Sequence, residues 1–153
     1  MPRRELKSGK QVADWLAELG ASLKAPGHMT LIGSAALLWH VHNRGLDAEL
    51  SEASMDVDSV TDSEEVATHC YEALIGSEFE RTHGWHVNLM PDTVLRELPA
   101  GWQDRAVTRQ IGKLRLTVPA PADLLAAKLK RNEPRDRAHA EWATSIGLLA
   151  EPV

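Results

Sequence analysis

The feature that most constrains the fold of this chain is the way in which helix-like and strand-like apolar patterns alternate. Residues 8–24 carry apolar residues at helical spacing, with Ser8 as a cap at the start, and residues 25–27 (APG) end the pattern. The next stretch, HMTLIGSAALLWHVH at 28–42, predicts a short strand, a Gly33-Ser34 turn and an apolar helix. Strands that alternate with helices are typical of domains in which helices cover a sheet.

The rest of the chain continues this alternation. Strands are predicted from β-branched and apolar runs at 55–61, at 84–91 and on both sides of a hairpin at 111–113. Helices are predicted at 63–76, for one or two turns at 92–97, from Pro121 and from Pro134. With no internal repeat and no linker, this order predicts one α/β or α+β domain over residues 1–153.

The helix predicted at 63–76 has signals at both ends. Thr61 or Asp62 is a suitable cap for its first turn, whose acidic residues suit the positive end of the helix dipole. Gly76 fits the C-terminal stop, because glycine readily adopts the left-handed conformation found there.

Charge is unevenly distributed along the chain. The net charge is −5, yet residues 47–80 contain 11 acidic residues and no Lys or Arg, whereas residues 104–139 contain 9 Lys or Arg against 4 Asp or Glu. One segment could attract a cation and the other an anion, and the alternative is two solvated surfaces.

Composition excludes several classes of protein. Cys70 is the only cysteine, so neither a disulfide within the chain nor a cysteine-based zinc site is available. No apolar run is long enough to span a membrane, and no apolar segment of a signal peptide follows the basic N-terminal stretch. We therefore expect a cytoplasmic protein that makes no membrane contact.

The strand region MDVDSVT places two acidic residues on one face. Asp56 and Asp58 are two positions apart, and side chains at i and i+2 of a strand point the same way. Met55, Val57 and Val60 predict a buried face for this strand, where repelling charges gain nothing. A divalent cation such as Mg²⁺ would cancel the repulsion, and the alternative is a solvated strand with two unlinked charges.

Two further features suit a ligand that carries phosphate. Gly33-Ser34 lies where a strand meets a helix N-terminus, whose free N–H groups attract phosphate, although an ordinary turn has the same sequence. Lys128 lies at the border of the buried face of the helix that starts at Pro121, from which it could reach into a cleft. The other basic residues nearby equally fit a helix end that complements its own dipole: Lys130, Arg131, Arg135 and Arg137.

Four segments, in this order, resemble the nucleotidyltransferase superfamily: IGSAALLWH, MDVDSV, PADLLAAKLKR and PRDRAH. Members carry a Gly-Gly or Gly-Ser turn that opens a helix, an Asp-x-Asp strand, a Lys-bearing helix and an Arg-Asp segment. The resemblance covers residues 30–139. It is closest to small bacterial domains of the AbiEii type, which occur in abortive-infection and toxin–antitoxin systems. It implies an α+β nucleotidyltransferase fold, a small mixed sheet flanked by helices with a helical C-terminus.

The resemblance also implies a chemistry, in which an acceptor hydroxyl or phosphate attacks the α-phosphorus of a nucleoside triphosphate. The divalent ion would be Mg²⁺ or Mn²⁺, and the acceptor an RNA such as tRNA, or a protein. Asp56, Asp58 and Lys128 would be catalytic. By the same resemblance, Gly33, Ser34, Lys128 and Asp136 would bind the nucleotide. Asp56 and Asp58 would bind the metal. Accessory roles would fall to His86, Asn88, Arg131 and Arg135.

One position departs from the superfamily pattern. A third metal-binding carboxylate often comes from a following strand, and the strand at 84–91 offers the neutral Asn88 there. A single tightly held metal, a weaker second site or a loss of catalysis would each explain the change. Three functions therefore stay open: a nucleotide-transferring enzyme, as a toxin or phage-defence component with an antitoxin partner; a catalytically inactive binding or regulatory module; and an unrelated domain with an incidental aspartate pair.

Other residues favour ordinary structural roles. His40 and His42 are two apart, which puts their rings on different helix faces, so we interpret them as helix-end histidines with local hydrogen bonds. His86 alternates with Asn88, so it either faces the cleft as a general base or packs in an ordinary way. Four tryptophans are predicted to be core or core-edge residues and not platforms for stacked bases: Trp39, Trp85, Trp102 and Trp142.

Overall fold

The computed structural model describes residues 6–46, 48–49, 56–131 and 133–149. The α-helices in these ranges are α1 (Gly9–Ser22), α2 (Gly33–Asn43), α3 (Glu64–Tyr71), α4 (Glu78–His83), α5 (Trp102–Arg105), α6 (Pro121–Arg131) and α7 (Pro134–Ser145), and a 3₁₀ helix spans Asp92–Glu97. The strands are β1 (Gly27–Ile32), β2 (Asp56–Val60), β3 (His86–Leu89), β4 (Val107–Ile111) and β5 (Leu114–Val118). None of the described helices combines the length and the apolar character needed to cross a bilayer.

The five strands form one mixed sheet in the order β3-β2-β1-β5-β4. The central strand β1 runs antiparallel to β2 and parallel to β5, and β2 runs parallel to β3. The hairpin predicted at 111–113 joins the antiparallel strands β4 and β5. The predicted α+β architecture, a mixed sheet flanked by helices with a helical C-terminus, is confirmed.

The two faces of this sheet differ in character. Alternate strand residues form an apolar face that is completely buried, which includes Met29, Leu31, Val57, Val87 and Leu116. On the opposite face the strand register pairs Asp56 with His86, and Asp58 with Asn88 on one side and Ile32 on the other. The polar side chains of β2 and β3 therefore lie next to one another on a single face.

The burial of β2 differs from the sequence prediction. Val57 belongs to the apolar face, but Val60 is three positions further on and lies on the same face as the aspartates. The prediction that both valines mark one buried face was therefore wrong, although both are buried. Met55 lies outside the described residues.

Helix α1 forms as its sequence predicts. The hydroxyl of Ser8 accepts a hydrogen bond from Gln11 N–H, and the Gln11 side chain accepts from the Ser8 N–H, which makes a capping box. Val12, Leu16 and Leu19 lie on its buried side. The four tryptophans predicted to lie in the core or at its edge are buried as well.

The boundaries of α3 differ from the predicted helix at 63–76. Its cap is Ser63, whose hydroxyl accepts from Val66 N–H, and not Thr61 or Asp62. The helix ends at Tyr71, because the chain then turns so that the carbonyl of Ala73 accepts from Val87 N–H of β3. Gly76 is left-handed, at φ +83°, but it lies in the connection to α4 and does not end α3.

His40 also differs from its prediction. Its Nε2 lies 2.7 Å from the carbonyl oxygen of Pro119, 79 residues away, so its hydrogen bond is not local. The ring is buried, and burial lowers the pKa of His40 from 6.5 to about 4. His40 therefore joins α2 to the segment before α6 as a neutral hydrogen-bond donor.

Candidate functional site

Asp56 and Asp58 converge on a single nitrogen atom. The side-chain Nδ2 of Asn88 donates to Asp56 Oδ2 at 2.9 Å and to Asp58 Oδ1 at 3.1 Å. Because ionised carboxylates only accept hydrogen bonds, the amide has to present its NH₂ group to both of them. The two aspartate side chains thus face a common point, and the Asn88 amide connects them.

The surroundings of Asp58 disfavour its charged form. Burial and the neighbouring charge of Asp56 raise the pKa of Asp58. The hydrogen bond from Asn88 and the positive charges of Arg131 and Lys128 act in the opposite direction but do not cancel the increase in pKa. A cation placed beside Asp58 would therefore be attracted to it.

The Gly33 turn lies directly against Asp58. Gly33 has φ +71°, and a Cβ added there would lie 3.1 Å from Asp58 Oδ2. Glycine therefore suits this position both for its left-handed backbone and for the close approach of the carboxylate. The N-cap residue of α2, Ile32, makes no side-chain cap, so the N-terminal turn of this helix opens beside the aspartate pair.

Lys128 lies in a buried cluster between α2, α6 and α7. Its Nζ donates to Ser34 Oγ at 3.1 Å and lies 3.5 Å from Asp136 Oδ1. The guanidinium of Arg131 donates to the same Asp136 oxygen at 3.0 Å. The side chains of Lys128 and Asp136 are each 5% exposed, and that of Arg131 is 54% exposed, so one buried carboxylate holds a buried and an exposed cation.

The pKa of the Lys128 ammonium is lowered, as expected when a cation is buried. Burial lowers the pKa of Lys128, Asp136 raises it, and the nearby charges of Arg131 and Arg135 lower it further. Arg135 itself is exposed on α7. Two cations therefore contact the buried carboxylate of Asp136, and a third, Arg135, acts on Lys128 from nearby.

His139 belongs to this cluster and was missed in the sequence analysis. It is completely buried, and its Nδ1 lies 3.2 Å from Ser34 Oγ. Because Ser34 accepts from Lys128, its own hydroxyl proton is available for His139 Nδ1. The spacing of Asp136 and His139, three positions apart on one helix face, was the available signal.

A cleft connects the aspartate pair with the lysine cluster. Its lining includes Gly33, Asp58, Lys128 and Arg131. The rest of its lining consists of Ile32, Met90, Val94, Glu97, Leu98, Leu124 and Ala127. The glycine turn, one aspartate and two of the predicted cations therefore meet around one space.

Other predicted residues lie around this cleft and do not line it. Ser34 and Asp136 lie behind Lys128, which they contact. His86 Nδ1 lies 2.7 Å from Glu80 Oε2 of α4, so the ring is directed at that carboxylate. Asp56 reaches the site through the Asn88 amide.

The donor set at the aspartate pair fits a hard divalent cation. Within the described ranges, no group of three or more His, Cys, Asp or Glu side chains could form a metal cage. Two carboxylates that face one point suit Mg²⁺, which is usually held by one or two carboxylates together with waters and substrate phosphates. Asp56 and Asp58 could therefore hold such an ion once a phosphate supplies further ligands.

The chain matches a known family model. A family model described as "Nucleotidyltransferase of unknown function (DUF6036)" matches residues 10–149. No curated protein and no solved structure matches the chain. The matched range contains the whole sheet, the aspartate pair and the lysine cluster.

Proposed function

The chain belongs to the nucleotidyltransferase family DUF6036, and from this we propose that it is a metal-dependent enzyme that transfers a nucleotide from a nucleoside triphosphate to an acceptor. The observation that carries the proposal is the convergence of Asp56 and Asp58 on one point beside the glycine turn at the start of α2. Lys128 and Arg131, which line the same cleft, supply positive charge for phosphate.

Asp56 and Asp58 would hold Mg²⁺ or Mn²⁺, because their carboxylates are hard oxygen donors that face a common point. A divalent ion bound there would neutralise the charge that develops on the attacking and leaving oxygens. Gly33 would let the phosphates approach the start of α2, since no Cβ stands in the way.

Some residues of the lysine cluster would touch the nucleotide, and the others would hold those residues in position. Lys128 and Arg131 line the cleft and would contact the triphosphate. Asp136 would act through both cations, because it contacts each of them from behind. The Ser34 hydroxyl would hold Lys128 in place, and not the phosphates themselves.

The proposed acceptor is an RNA, such as tRNA, or a protein. Lys130, Arg135 and Arg137 are exposed on α6 and α7, and exposed cations bind RNA phosphates without regard to base. A cytoplasmic toxin or phage-defence role of the AbiEii type, with an antitoxin partner, is the part of the proposal that depends on the sequence resemblance alone.

The test combines ligand binding with transfer. We expect nucleoside triphosphate with Mg²⁺ to raise the melting temperature, since a ligand of the folded state stabilises it, and labelled nucleotide to move onto RNA or protein. Asp56→Ala combined with Asp58→Ala should abolish both effects. Asp62→Ala is the matched control, because Asp62 is exposed just after β2 and should leave both unchanged. Transfer that survives loss of both site aspartates would disprove the proposal.

A second candidate is a catalytically inactive module of the same fold that binds a nucleotide or a partner. The observation that favours it is Asn88, which already holds the two carboxylates together with a neutral amide. This candidate predicts binding without transfer, and binding that Asn88→Asp leaves unaffected. Transfer by the wild-type chain would rule it out.

A further inference from the structure

We propose that His139 is a positioning residue for the proposed reaction: it fixes the hydroxyl of Ser34, which in turn holds the ammonium of Lys128 in the orientation that binds phosphate. This inference rests on the proposed function, because it assumes that Lys128 contacts the triphosphate. His139 itself would touch neither the nucleotide nor the metal.

The three residues form a continuous series of hydrogen bonds that begins in the core. His139 on α7 is completely buried, and its Nδ1 lies 3.2 Å from Ser34 Oγ at the start of α2. The same oxygen lies 3.1 Å from Nζ of Lys128 on α6. Ser34 therefore connects a buried ring with a cation that lines the cleft.

The chemistry of the three groups decides the direction of each hydrogen bond. An ammonium group carries only donors, so Ser34 Oγ has to accept from Lys128. Across the part of the chain that the structure describes, the only acceptor that Ser34 Oγ contacts is Nδ1 of His139. The Ser34 hydroxyl therefore donates to Nδ1, which requires a neutral imidazole with its proton on Nε2.

These contacts determine which part of the Lys128 ammonium faces a ligand. The group has three N–H donors, of which one is directed at Ser34 Oγ and another at Asp136 Oδ1, 3.5 Å away. Ser34 and Asp136 lie behind Lys128, and Lys128 lines the cleft. The third donor is therefore left for an oxygen of a bound phosphate.

Asp136 and His139 would hold Lys128 in different ways, although both belong to α7 and lie three positions apart on one face. Asp136 supplies charge, which attracts the ammonium from any direction. A neutral histidine supplies no charge and fixes only the rotation of the Ser34 hydroxyl. Without an acceptor at residue 139, that hydroxyl is free to turn its proton towards Lys128, where two donors would face each other.

The test measures calorimetric affinities for inorganic tripolyphosphate and for ATP, each with Mg²⁺. We expect His139→Phe to weaken both ligands about tenfold, the factor that corresponds to the loss of one hydrogen bond to a charged group. His139→Asn should stay within about threefold of the wild type, because its amide oxygen can accept at the place of Nδ1. His40→Phe is the matched control, because His40 is equally buried and contacts Pro119 instead of the lysine cluster. It should leave both affinities unchanged.

A double-mutant cycle separates positioning from ordinary packing. Ser34→Ala removes the group through which His139 is proposed to act, so it should weaken tripolyphosphate about as much as His139→Phe does. The double variant should then bind no more weakly than either single variant, because both changes remove the same hydrogen bond to Lys128. A packing role predicts instead that His139→Phe lowers stability and leaves affinity unchanged, or that its effect on affinity adds to that of Ser34→Ala.

The outcomes distinguish this inference from the proposed function. If the wild-type chain binds tripolyphosphate, the role of His139 is disproved by unchanged affinity in His139→Phe, by additive losses in the double variant, or by equal losses in His139→Asn and His139→Phe; the proposed function then stands. If His139→Phe does not fold, His139→Gln takes its place with the same expected factors, because its amide extends to the place of Nε2 and not of Nδ1. If the wild type binds neither tripolyphosphate nor ATP, both proposals fail.

Discussion

The aspartate pair and the lysine cluster both contribute to the lining of one cleft, and their carboxylates have different partners. At the aspartate pair, two carboxylates share a neutral amide, and the pKa of Asp58 is raised because burial and Asp56 oppose its charge. In the lysine cluster, the carboxylate of Asp136 lies between the cations of Lys128 and Arg131. Asp58 accepts from a neutral amide, whereas Asp136 contacts two cations.

This difference indicates which carboxylate would gain from a further cation. Asp136 is the fixed centre of the lysine cluster, because it already contacts two cations, and those cations also border the cleft. The aspartate pair would gain from any cation that replaced or joined the amide hydrogen bonds. Removing one group from each site tests this contrast.

The largest effect is expected when the lysine cluster loses its carboxylate. Asp136→Asn leaves the ammonium of Lys128 buried without a counter-charge, and such a loss typically costs about 3–5 kcal/mol of unfolding free energy. Urea denaturation at pH 7 measures it. Arg131→Gln is the control, because that side chain is half exposed and should cost no more than about 1 kcal/mol. Equal losses of unfolding free energy in the two variants would contradict a buried Lys128 that depends on Asp136 for its counter-charge.

A smaller effect is expected at Asn88. Asn88→Asp replaces the shared donor with a third carboxylate, so the metal-free chain should lose about 2 kcal/mol, the size of a hydrogen bond to a charged group. Mg²⁺ should then raise the melting temperature of this variant more than that of the wild type. Asn43→Asp, the same change at an exposed position, is the control. Asn88→Asp that is as stable as wild type in EDTA would show that the amide does not hold the pair.

Contacts within one element were predictable from the sequence, and contacts between distant segments were not. Asp56 and Asp58 were predictable as neighbours, because a strand has a fixed period of two, and the capping box of α1 is local as well. The contact between Ser34 and His139 joins residues 105 positions apart, and no local pattern encodes it. Asn88 was predicted as an accessory residue, but its bridging role depends on the register of β3 against β2.

Short helices were also difficult to predict from the sequence. Helices α4 and α5 have 6 and 4 residues, too few for an apolar period to stand out, and neither was predicted. The early end of α3 depends on a hydrogen bond between Ala73 and the distant Val87, so the sequence of α3 alone suggests a longer helix. Local signals therefore predicted where most elements begin, and tertiary contacts decided where some of them end.

The smallest effect, and the one that most sharpens the comparison, is expected for Asp58→Asn without divalent ions. Since the folded-state pKa of Asp58 is raised above 3.8, the folded chain binds more protons in the window above that value, and its stability falls as pH rises through it. Asp58→Asn removes this term. The variant should therefore match wild type near pH 3 and exceed it at pH 7, by up to about 1 kcal/mol, as for like charges on neighbouring strand positions.

Urea denaturation of both chains in EDTA, from pH 3 to pH 7, measures that difference. His40 makes both chains less stable as pH falls from 6.5 towards 4, because its folded-state pKa is lowered, but this loss is common to both and cancels. If Asp58→Asn is instead the less stable chain at pH 7, the carboxylate is already compensated by Asn88, Lys128 and Arg131. Asp58 would then need no further cation, and the electrostatic reason for expecting one beside it would disappear.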